Sequence, residues 1–436
     1  MIETELGNLR RSHYSDEINS SMDGTEVIIM GWVLTIRGHG NISFATIRDK
    51  NGDISVVAKK GDCPDEIREK ISSLKAHSSI AVTGKVKSSE KAPSGFEIIP
   101  TELRVFSEVE KTPPFEPTAK TVKNIDTRLE VRPIDLRRKP LQHIFNARSL
   151  VLKSIRDYFY SQKFTEINTP KMIATATEGG AALFAIFYYN KEAFLAQSPQ
   201  LYKEQLTMSF EKVFEIAPIF RAESSRTNRH LAEAISIDLE EAFVDYNDIM
   251  DRIEELIKIS IKTVNDYVTI NPDAKFLIPT MPETIPRYSY DELIDKMQKA
   301  GVKTEWGDDL YPSNLKKINL DGFYFIIDWP LGPKPFYVKD SKSNPKISES
   351  FDLMYGDLEL SSGSTRIEKR DELEERMKNK GMKTDAFEYH LGAFDYGVPP
   401  HAGCGIGLER LMMALTGTEN IRDVTFYPRD VDRLTP

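Results

Sequence analysis

Phe220-Arg221-Ala222-Glu223-Ser224-Ser225-Arg226-Thr227-Asn228-Arg229-His230-Leu231 places three arginines, a histidine and a glutamate between two runs of strand-forming residues. Lys212–Phe220 precedes it and Ala234–Val244 follows, each rich in β-branched and aromatic side chains with roughly alternating polarity. The pattern predicts a hairpin tipped by a cationic loop. Arginine forks match phosphate oxygens, and a neighbouring carboxylate can accept an amino hydrogen from a base, so such a loop suits a nucleotide polyphosphate. Taken alone, the segment reads equally well as a solvated charged turn.

Two downstream segments change that balance. In His401-Ala402-Gly403-Cys404-Gly405-Ile406-Gly407-Leu408-Glu409-Arg410 the glycines let backbone approach a ligand closely. Leu408, Leu411, Met412 and Leu415 then fall at helical spacing, so a helix begins after the glycines and Gly417 can end it. Arg410 lies off that apolar stripe. A dinucleotide-binding glycine loop would open a βαβ unit with an acid about 20 residues later, and here the chain is nearly over. In the segment Phe351–Arg366, an extended backbone puts Asp357, Glu359 and Ser361 on one face, and a bend at Gly363 is expected to bring Ser362 beside Glu359. Such oxygens suit Mg²⁺ completed by water and phosphates, although the segment alone reads more readily as a polar edge strand.

At 436 residues the chain is expected to form two or three domains. Its 40% hydrophobic and 10% aromatic content supplies a sizeable core. No basic leader with an apolar run opens it, and no apolar stretch is long enough to span a bilayer, so a soluble cytoplasmic protein without membrane association is expected. Cys63 and Cys404 stand far apart without nearby Cys/His companions, which disfavours a zinc site and a disulfide. The net charge of −9 argues against a general nucleic-acid-coating protein. Two stretches run against it: residues 31–60, with five Lys/Arg against two acids, and 121–140, with six against three. Both are expected to be solvated surface.

Between Glu26 and Val105 five short strand candidates follow one another: Val27–Val33, Ile42–Arg48, Ile54–Ala58, Ile80–Val86 and Phe96–Ile99. They predict a small antiparallel barrel of the oligonucleotide-binding (OB) type over residues 1–110, with a hairpin turn at Asp49–Gly52 and one helix within 62–75. Pro113, Pro114 and Pro117 mark a linker over 111–145. Val151, Ile155, Tyr158 and Phe159 open a helical pattern, and residues 146–436 read as a large α+β domain on an antiparallel sheet with flanking helices. The proline-interrupted stretch at about 265–345 reads as a subdomain inserted into it.

Together the three segments resemble the signature of the class II aminoacyl-tRNA synthetases. Phe220-Arg221-Ala222-Glu223 is similar to motif 2 of that family, the glycine run ending at Arg410 to motif 3, and Phe164-Thr165-Glu166-Ile167-Asn168-Thr169-Pro170 to motif 1. Ala174–Gly180, Gln197–Lys203, Phe426–Asp430 and Arg433–Pro436 extend the likeness to the archaeal and eukaryotic aspartyl branch, over nearly the whole chain.

The resemblance implies a two-step reaction, in which aspartate attacks the α-phosphorus of ATP and the aspartyl-adenylate is passed to tRNA(Asp). It assigns Arg221 to the aspartate carboxylate and α-phosphate and Arg410 to the γ-phosphate side, as the catalytic pair. ATP contacts fall on Arg221, Ala222 and Glu223, with Glu223 at the adenine amino group, on Arg229, His230 and Leu231, on Glu359, and on Gly407, Leu408, Glu409 and Arg410. Glu359 and Ser362 match Mg²⁺ ligands. Aspartate contacts fall on Glu178, in a mobile loop, on Ser198, Gln200, Leu201, Tyr202 and Lys203, and on Arg221, Asp238, Ser362 and Arg366. Lys203 and Arg366 would hold the side-chain carboxylate, while Gln200 and Asp238 surround the ammonium group. Motif 1 implies a homodimer.

In the barrel, Phe44 matches an aromatic on which an anticodon base stacks; a core phenylalanine is the equal alternative. Ser55 stands where relatives carry glutamine, Leu34 where enzymes restricted to one tRNA carry tryptophan, and Ala92-Pro93 replaces a lysine-bearing loop. These departures point to an enzyme that also charges tRNA(Asn) with aspartate. The competing readings are an asparaginyl-tRNA synthetase, a non-catalytic nucleic-acid-binding paralogue, and a paralogue that amidates aspartate. The presence of Arg221, Glu223, Glu359 and Arg410 opposes the second, and the N-terminal barrel opposes the third.

Overall fold

The structure, a computed structural model, describes residues 3–90, 92, 94–119, 121–175 and 183–436. The chain divides into two compact units, Met1–Pro114 and Phe115–Pro436.

The first unit is a closed barrel of β1 (Glu26–His39), β2 (Ile42–Arg48), β3 (Asp53–Lys59), β4 (Ser79–Ser88) and β5 (Phe96–Ser107), in the order β1-β2-β3-β5-β4. Alternating Val27, Ile29 and Val33 of β1 and Ala45 and Ile47 of β2 point inward and are buried. The barrel is not wholly antiparallel: β3 and β5 meet in parallel at Val56 and Ile98, which closes the cylinder. The β2–β3 turn is fixed by Asp49, whose Oδ1 accepts from the backbone N–H groups of Asn51 (2.8 Å) and Gly52 (3.0 Å). The helix Asp65–Ser73 adds buried Ile67 and Ile71 to the core. Pairing of β1 with β2 slips at Leu34, between Val33 and Thr35, a bulge that leaves both Trp32 and Thr35 exposed.

In the second unit the strands are β6 (Thr165–Glu166), β7 (Met172–Ile173), β8 (Ala185–Tyr188), β9 (Lys191–Leu195), β10 (Lys212–Phe220), β11 (Glu233–Ala242), β12 (Arg287–Ser289), β13 (Phe323–Ile327), β14 (Ser350–Tyr355), β15 (Leu358–Thr365) and β16 (His401–Gly407). Eight of them form one sheet, β12-β13-β14-β15-β16-β11-β10-β6, while β7, β9 and β8 form a small second sheet. The large sheet departs from the expected antiparallel order at its two ends, where β10 pairs with β6 and β12 with β13 in parallel. The helices Lys139–Ser161, Tyr246–Ile270 and Leu408–Thr416 share a hydrophobic core with one face of the sheet, through residues such as Ile155, Ile253, Leu411, Ile237 and Leu353. Ile155 is fully buried, and Ile155→Ala at such a site costs about 2–5 kcal/mol. The helix Tyr246–Ile270 starts on a capping box in which Asp245 accepts from Asn247 N (2.7 Å) and Asp248 accepts from Asp245 N (3.0 Å). The opposite face of the sheet carries the polar residues described below.

The basic stretch 121–140 is not the solvated surface expected of it. Arg128 and Arg132 are buried. Asp135 pairs with both, at 2.8 and 2.6 Å, and Arg132 also donates to the carbonyls of Arg422, Thr425 and Phe426. A buried guanidinium needs such acceptors for every fork, and here the C-terminal segment supplies them. Within 265–345, β12 and β13 extend the edge of the large sheet, and Tyr290, Leu293, Met297, Leu310, Tyr324 and Trp329 form a cluster of their own. Among the described residues, no helix is long and apolar enough to cross a membrane.

Candidate active site

Five strands place side chains at one level across the polar face of the sheet. Glu215 of β10 pairs with Asp238 of β11, Asp238 with Gly405 of β16, Gly405 with Ser362 of β15, and Ser362 with Asp352 of β14. Directly paired residues share a face, so these form a row. Gly403, Gly405 and Gly407 alternate along the middle strand and leave that face bare, which opens a cleft of about 420 Å³ above it. Gly403 has a second role. A Cβ there would lie 2.1 Å from Glu240 Oε2 and 2.3 Å from Leu239 O, so only glycine lets the Glu240 carboxylate lie against β16.

The expected bend at Gly363 is instead a bulge at Leu360: Leu353 pairs with Ser361 and Met354 with Glu359, leaving Leu360 unpaired. One extra residue reverses the phase of a strand. Glu359 and Ser362 therefore share the cleft face, whereas Ser361 is buried beside Leu353, off the face on which strict alternation would place it. Asp352 stands across from Ser362, and Lys334 Nζ lies 3.3 Å from Asp352 Oδ2. The Glu359 side chain keeps about half its surface, 49%, open to the cleft. Its carboxyl is nevertheless raised above the usual range, first by its enclosed setting and then by the Asp352 charge, against Arg410, Lys334 and Arg221. Two carboxylates and a hydroxyl are hard oxygen donors, and among the described residues no group of three His, Cys, Asp or Glu could cage a metal by itself. That donor set fits Mg²⁺, which binds through few carboxylates and keeps positions for water and phosphate.

At the closed end of the cleft Lys203 and Arg366 are almost fully buried. Lys203, in the helix Gln200–Phe210, donates to Asp238 Oδ1 (3.0 Å), Leu239 O (3.3 Å) and Cys404 O (3.0 Å), with Glu240 Oε2 also 3.3 Å away. Arg366 donates from Nε to Glu240 Oε1 (2.8 Å), from Nη1 to Ser364 Oγ (2.7 Å), and from Nη2 to Gln200 Oε1 and Glu240 Oε2 (both 3.3 Å). Glu240 thus bridges the two cations. Burial alone would lower both cations' pKa values, but Asp238 and Glu240 raise that of Lys203 and Glu240 raises that of Arg366. The intervening Cys404 thiol is pushed up to about 12, chiefly by burial, and is inert.

The cationic loop follows β10 as expected. Arg221 N donates to Ala232 O at 2.9 Å, closing the loop's base. Arg229 donates to Asp357 O (3.0 Å) and pairs with Asp357 Oδ2 (2.8 Å), which Lys316 approaches to 3.2 Å. Burial would raise the Asp357 pKa, yet these two cations hold it below the usual range. Arg410 donates to Glu359 O at 3.1 Å, and its Nη1 is 3.9 Å from Glu359 Oε1. Burial lowers the His230 pKa, and Arg410, Arg221 and Arg229 lower it further against Glu223. A cationic cluster of this kind has the electrostatics that suit an anion.

Of the sequence-predicted residues, the cleft gathers Ser198, Gln200, Arg221, Glu223, Arg229, His230, Leu231, Asp238, Glu359, Ser362, Arg366, Gly407, Glu409 and Arg410. Leu201 and Leu408 are fully buried in hydrophobic clusters, and Tyr202 packs toward Tyr389 with ring centroids 6.5 Å apart. Ala222 lies half-buried at the start of the loop. Lys203 sits beneath the cleft floor, all three of its N–H donors engaged. Glu409 has a structural partner, Arg148 at 3.1 Å, and accepts from Ile235 N at 3.0 Å. Glu178 lies outside the described residues. Arg226, in the same loop, is about half-exposed and paired with Asp432 (2.8 Å) and Asp126 (3.4 Å). Glu240, Asp352 and Lys334 were missed. Alternation along Ser236, Asp238 and Glu240 could have revealed the first; the others depend on cross-strand and loop contacts.

In the barrel, Phe44 is exposed at 43% and stands on the outer face opposite Arg37 of β1 and Val57 of β3, not in the core. Ser55 pairs with Thr46 and is half-buried on the same face.

This arrangement, an anion-binding loop on one hairpin, an oxygen-donor pair on a bulged strand and an arginine one turn into the helix that follows a glycine strand, defines a class II aminoacyl-tRNA synthetase. The chain belongs to that family: residues 124–431 match tRNA synthetases class II (D, K and N), and residues 27–106 match an OB-fold nucleic acid binding domain. It is 48% identical to an aspartate--tRNA(Asp/Asn) ligase from Methanocaldococcus jannaschii, over 98% of each chain, and 46% identical to one from Methanothermobacter thermautotrophicus, over 99% of this chain and 100% of that one. Among solved structures it resembles asparaginyl-tRNA synthetase from Pyrococcus horikoshii complexed with asparaginyl-adenylate (TM-score 0.92, 32% identity, 98% and 100% of the two chains) and a putative aspartyl-tRNA synthetase from Leishmania major (TM-score 0.89, 26% identity, 100% and 97%). The family uses ATP and typically Mg²⁺.

Proposed function

We propose that this protein activates L-aspartate with ATP and transfers it to both tRNA(Asp) and tRNA(Asn). The supporting observation is full-length likeness to ligases named for both tRNAs, at 48% identity, joined to a cleft that ends on Arg366. The asparaginyl structures are more distant, at 32%. A substrate carboxylate would accept from Arg366 and, by exchange with its present acceptors, from Lys203; a carboxamide would present donors to donors.

Arg221 would orient the aspartate α-carboxylate against the α-phosphorus and stabilise charge on the phosphate as the bond to pyrophosphate breaks. Glu223 would accept from the adenine amino group, while Arg229 and His230 hold the departing phosphates and Arg410 the γ-phosphate. Arg229 must leave Asp357 to do so. Glu359 and Ser362, with Asp352 behind them, would hold Mg²⁺, which when bound offsets phosphate charge. No protein nucleophile is needed. Phe44 would stack an anticodon base, and Ser55, too short to reach as a glutamine does, would leave that reading relaxed. The short edge strand β6 and the helix before it, with exposed Leu150 and Tyr160, fit a homodimer interface.

Pyrophosphate exchange with aspartate and with asparagine, followed by aspartylation of separate tRNA(Asp) and tRNA(Asn) transcripts, tests the proposal. Exchange with asparagine alone would overturn the amino acid assignment; charging of tRNA(Asp) alone would overturn dual use.

A further inference from the structure

Behind the cleft a buried chain of polar groups leads from Arg366 and Gln200 to Glu204 and His390, the last two outside the groups assigned to the reaction. Gln200 accepts from Arg366 Nη2 at 3.3 Å through Oε1, and donates through Nε2 to Glu204 Oε1 at 2.6 Å. Glu204, one turn later in the same helix, is fully buried. Its second oxygen is 3.4 Å from His390 Nε2, and His390, also fully buried, meets Gln205 Nε2 at 3.1 Å through Nδ1 and Phe394 edge-on at 5.0 Å. Burial opposes charge on Glu204, but His390 first, then His401 and Arg366, outweigh it and bring its pKa to about 2. At neutral pH it is therefore a carboxylate.

We infer that Glu204 is a positioning residue for aspartate recognition, fixing the orientation of Gln200 and through it the plane of Arg366. The inference rests on the reading that Arg366 receives the substrate carboxylate. A carboxylate only accepts and a guanidinium only donates, so an amide between them has one satisfied orientation. Reversed, Gln200 would set its NH₂ against Arg366 and its oxygen against Glu204. Four of the five Arg366 N–H groups already have protein acceptors, two on Glu240, one on Ser364 and one on Gln200. The remaining Nη1 N–H is aimed by those four. Loosening Gln200 releases one corner of the guanidinium, which should weaken capture of the amino acid and leave the ATP contacts on the other side of the cleft unchanged. Glu204 touches neither substrate.

The test uses Glu204→Met, Glu204→Gln and the full-length enzyme in aspartate-dependent pyrophosphate exchange. Methionine keeps the volume and removes the acceptor; glutamine keeps an acceptor for Gln200 Nε2. Glu204→Met is expected to raise the KM for aspartate about tenfold, the scale of one lost buried hydrogen bond, with the KM for ATP within about twofold, and Glu204→Gln to recover most of that loss. An unchanged aspartate KM in Glu204→Met, an equal rise for ATP, or no recovery in Glu204→Gln overturns the inference. If Glu204→Met does not fold, Glu204→Asp takes its place: its shortened arm no longer reaches Gln200, so a selective rise in aspartate KM supports the inference and an unchanged value overturns it. Wild-type enzyme that activates no aspartate would instead defeat the functional reading on which this rests.

Discussion

Glu240 Oε1 accepts a 2.8 Å hydrogen bond from Arg366 Nε while its other oxygen lies 3.3 Å from Lys203 Nζ, so one buried carboxylate sets the spacing of two buried cations. Its own space is granted by Gly403. Gly403→Ala would drive a methyl group into Glu240 and into backbone, which cannot retreat as a flexible side chain can. Loss of about 1–3 kcal/mol of stability is expected, with a rise in the KM for aspartate, measured by thermal unfolding and pyrophosphate exchange. Gly407→Ala is the control for the unfolding measurement alone, since its Cβ would meet only Arg410, at an ordinary 3.9 Å.

Lys203 should be more costly to remove than an average buried side chain. Lys203→Met leaves Asp238 and Glu240 facing each other across a dry site, and breaking one partner of a buried pair costs about 3–5 kcal/mol. Denaturant unfolding should show that loss, and aspartate activation should fall with it. Stability within about 1 kcal/mol of wild type would mean that water reaches the two carboxylates.

Much of this site was legible beforehand because its parts are local. Arg221, Glu223, Arg229 and His230 share one loop, and Gly407 and Arg410 share one junction, so residue order alone groups them. What escaped was set across strands. Glu240 looked like one more acid in Leu239-Glu240-Glu241; alternation with Ser236 and Asp238 gives its face, but its partner across the sheet, Gly403, lies far along the chain. Arg128 and Arg132 looked like surface because their distant acceptors, the Asp423 carboxylate for the first and the carbonyls of Arg422, Thr425 and Phe426 for the second, lie some 290 positions away. The barrel was read from alternation, but its parallel closure through Val56 and Ile98 joins strands that are far apart in sequence.

If Glu359 holds Mg²⁺ as proposed, its raised carboxyl gives that step a pH dependence. A carboxylate must be deprotonated to bind Mg²⁺, and Glu359 begins to take up its proton at a higher pH than an ordinary glutamate. The Mg²⁺ concentration needed for half-maximal exchange should therefore increase as pH falls through that raised value. Glu359→Gln should abolish the trend along with most of the activity.

His230 predicts the opposite sign for ATP. Its lowered pKa keeps it neutral among Arg410, Arg221 and Arg229, and a bound triphosphate would offset those charges and raise it. Between the two values, binding takes up a proton and ATP affinity increases as pH falls. Calorimetry in two buffers of different ionisation enthalpy should detect the proton, and His230→Gln should remove it.

On the proposed reading, Phe44 divides recognition from chemistry. Phe44→Ala should then remove a stacking surface worth about 1–3 kcal/mol, which corresponds to a roughly 5- to 150-fold rise in the KM for tRNA. Pyrophosphate exchange, which requires no tRNA, should hardly change. Equal losses in both assays would place Phe44 in the barrel's structural support instead.

Glu359 and Ser362 are three positions apart, an odd separation that a regular pleat would send to opposite sides of the sheet. The unpaired Leu360 absorbs the extra step, so both meet the cleft. What the strand must preserve between them is therefore the parity of its paired residues and not its length: two positions of unbroken pleat, or three with one left out of the ladder, deliver the same pair of oxygens to the same side.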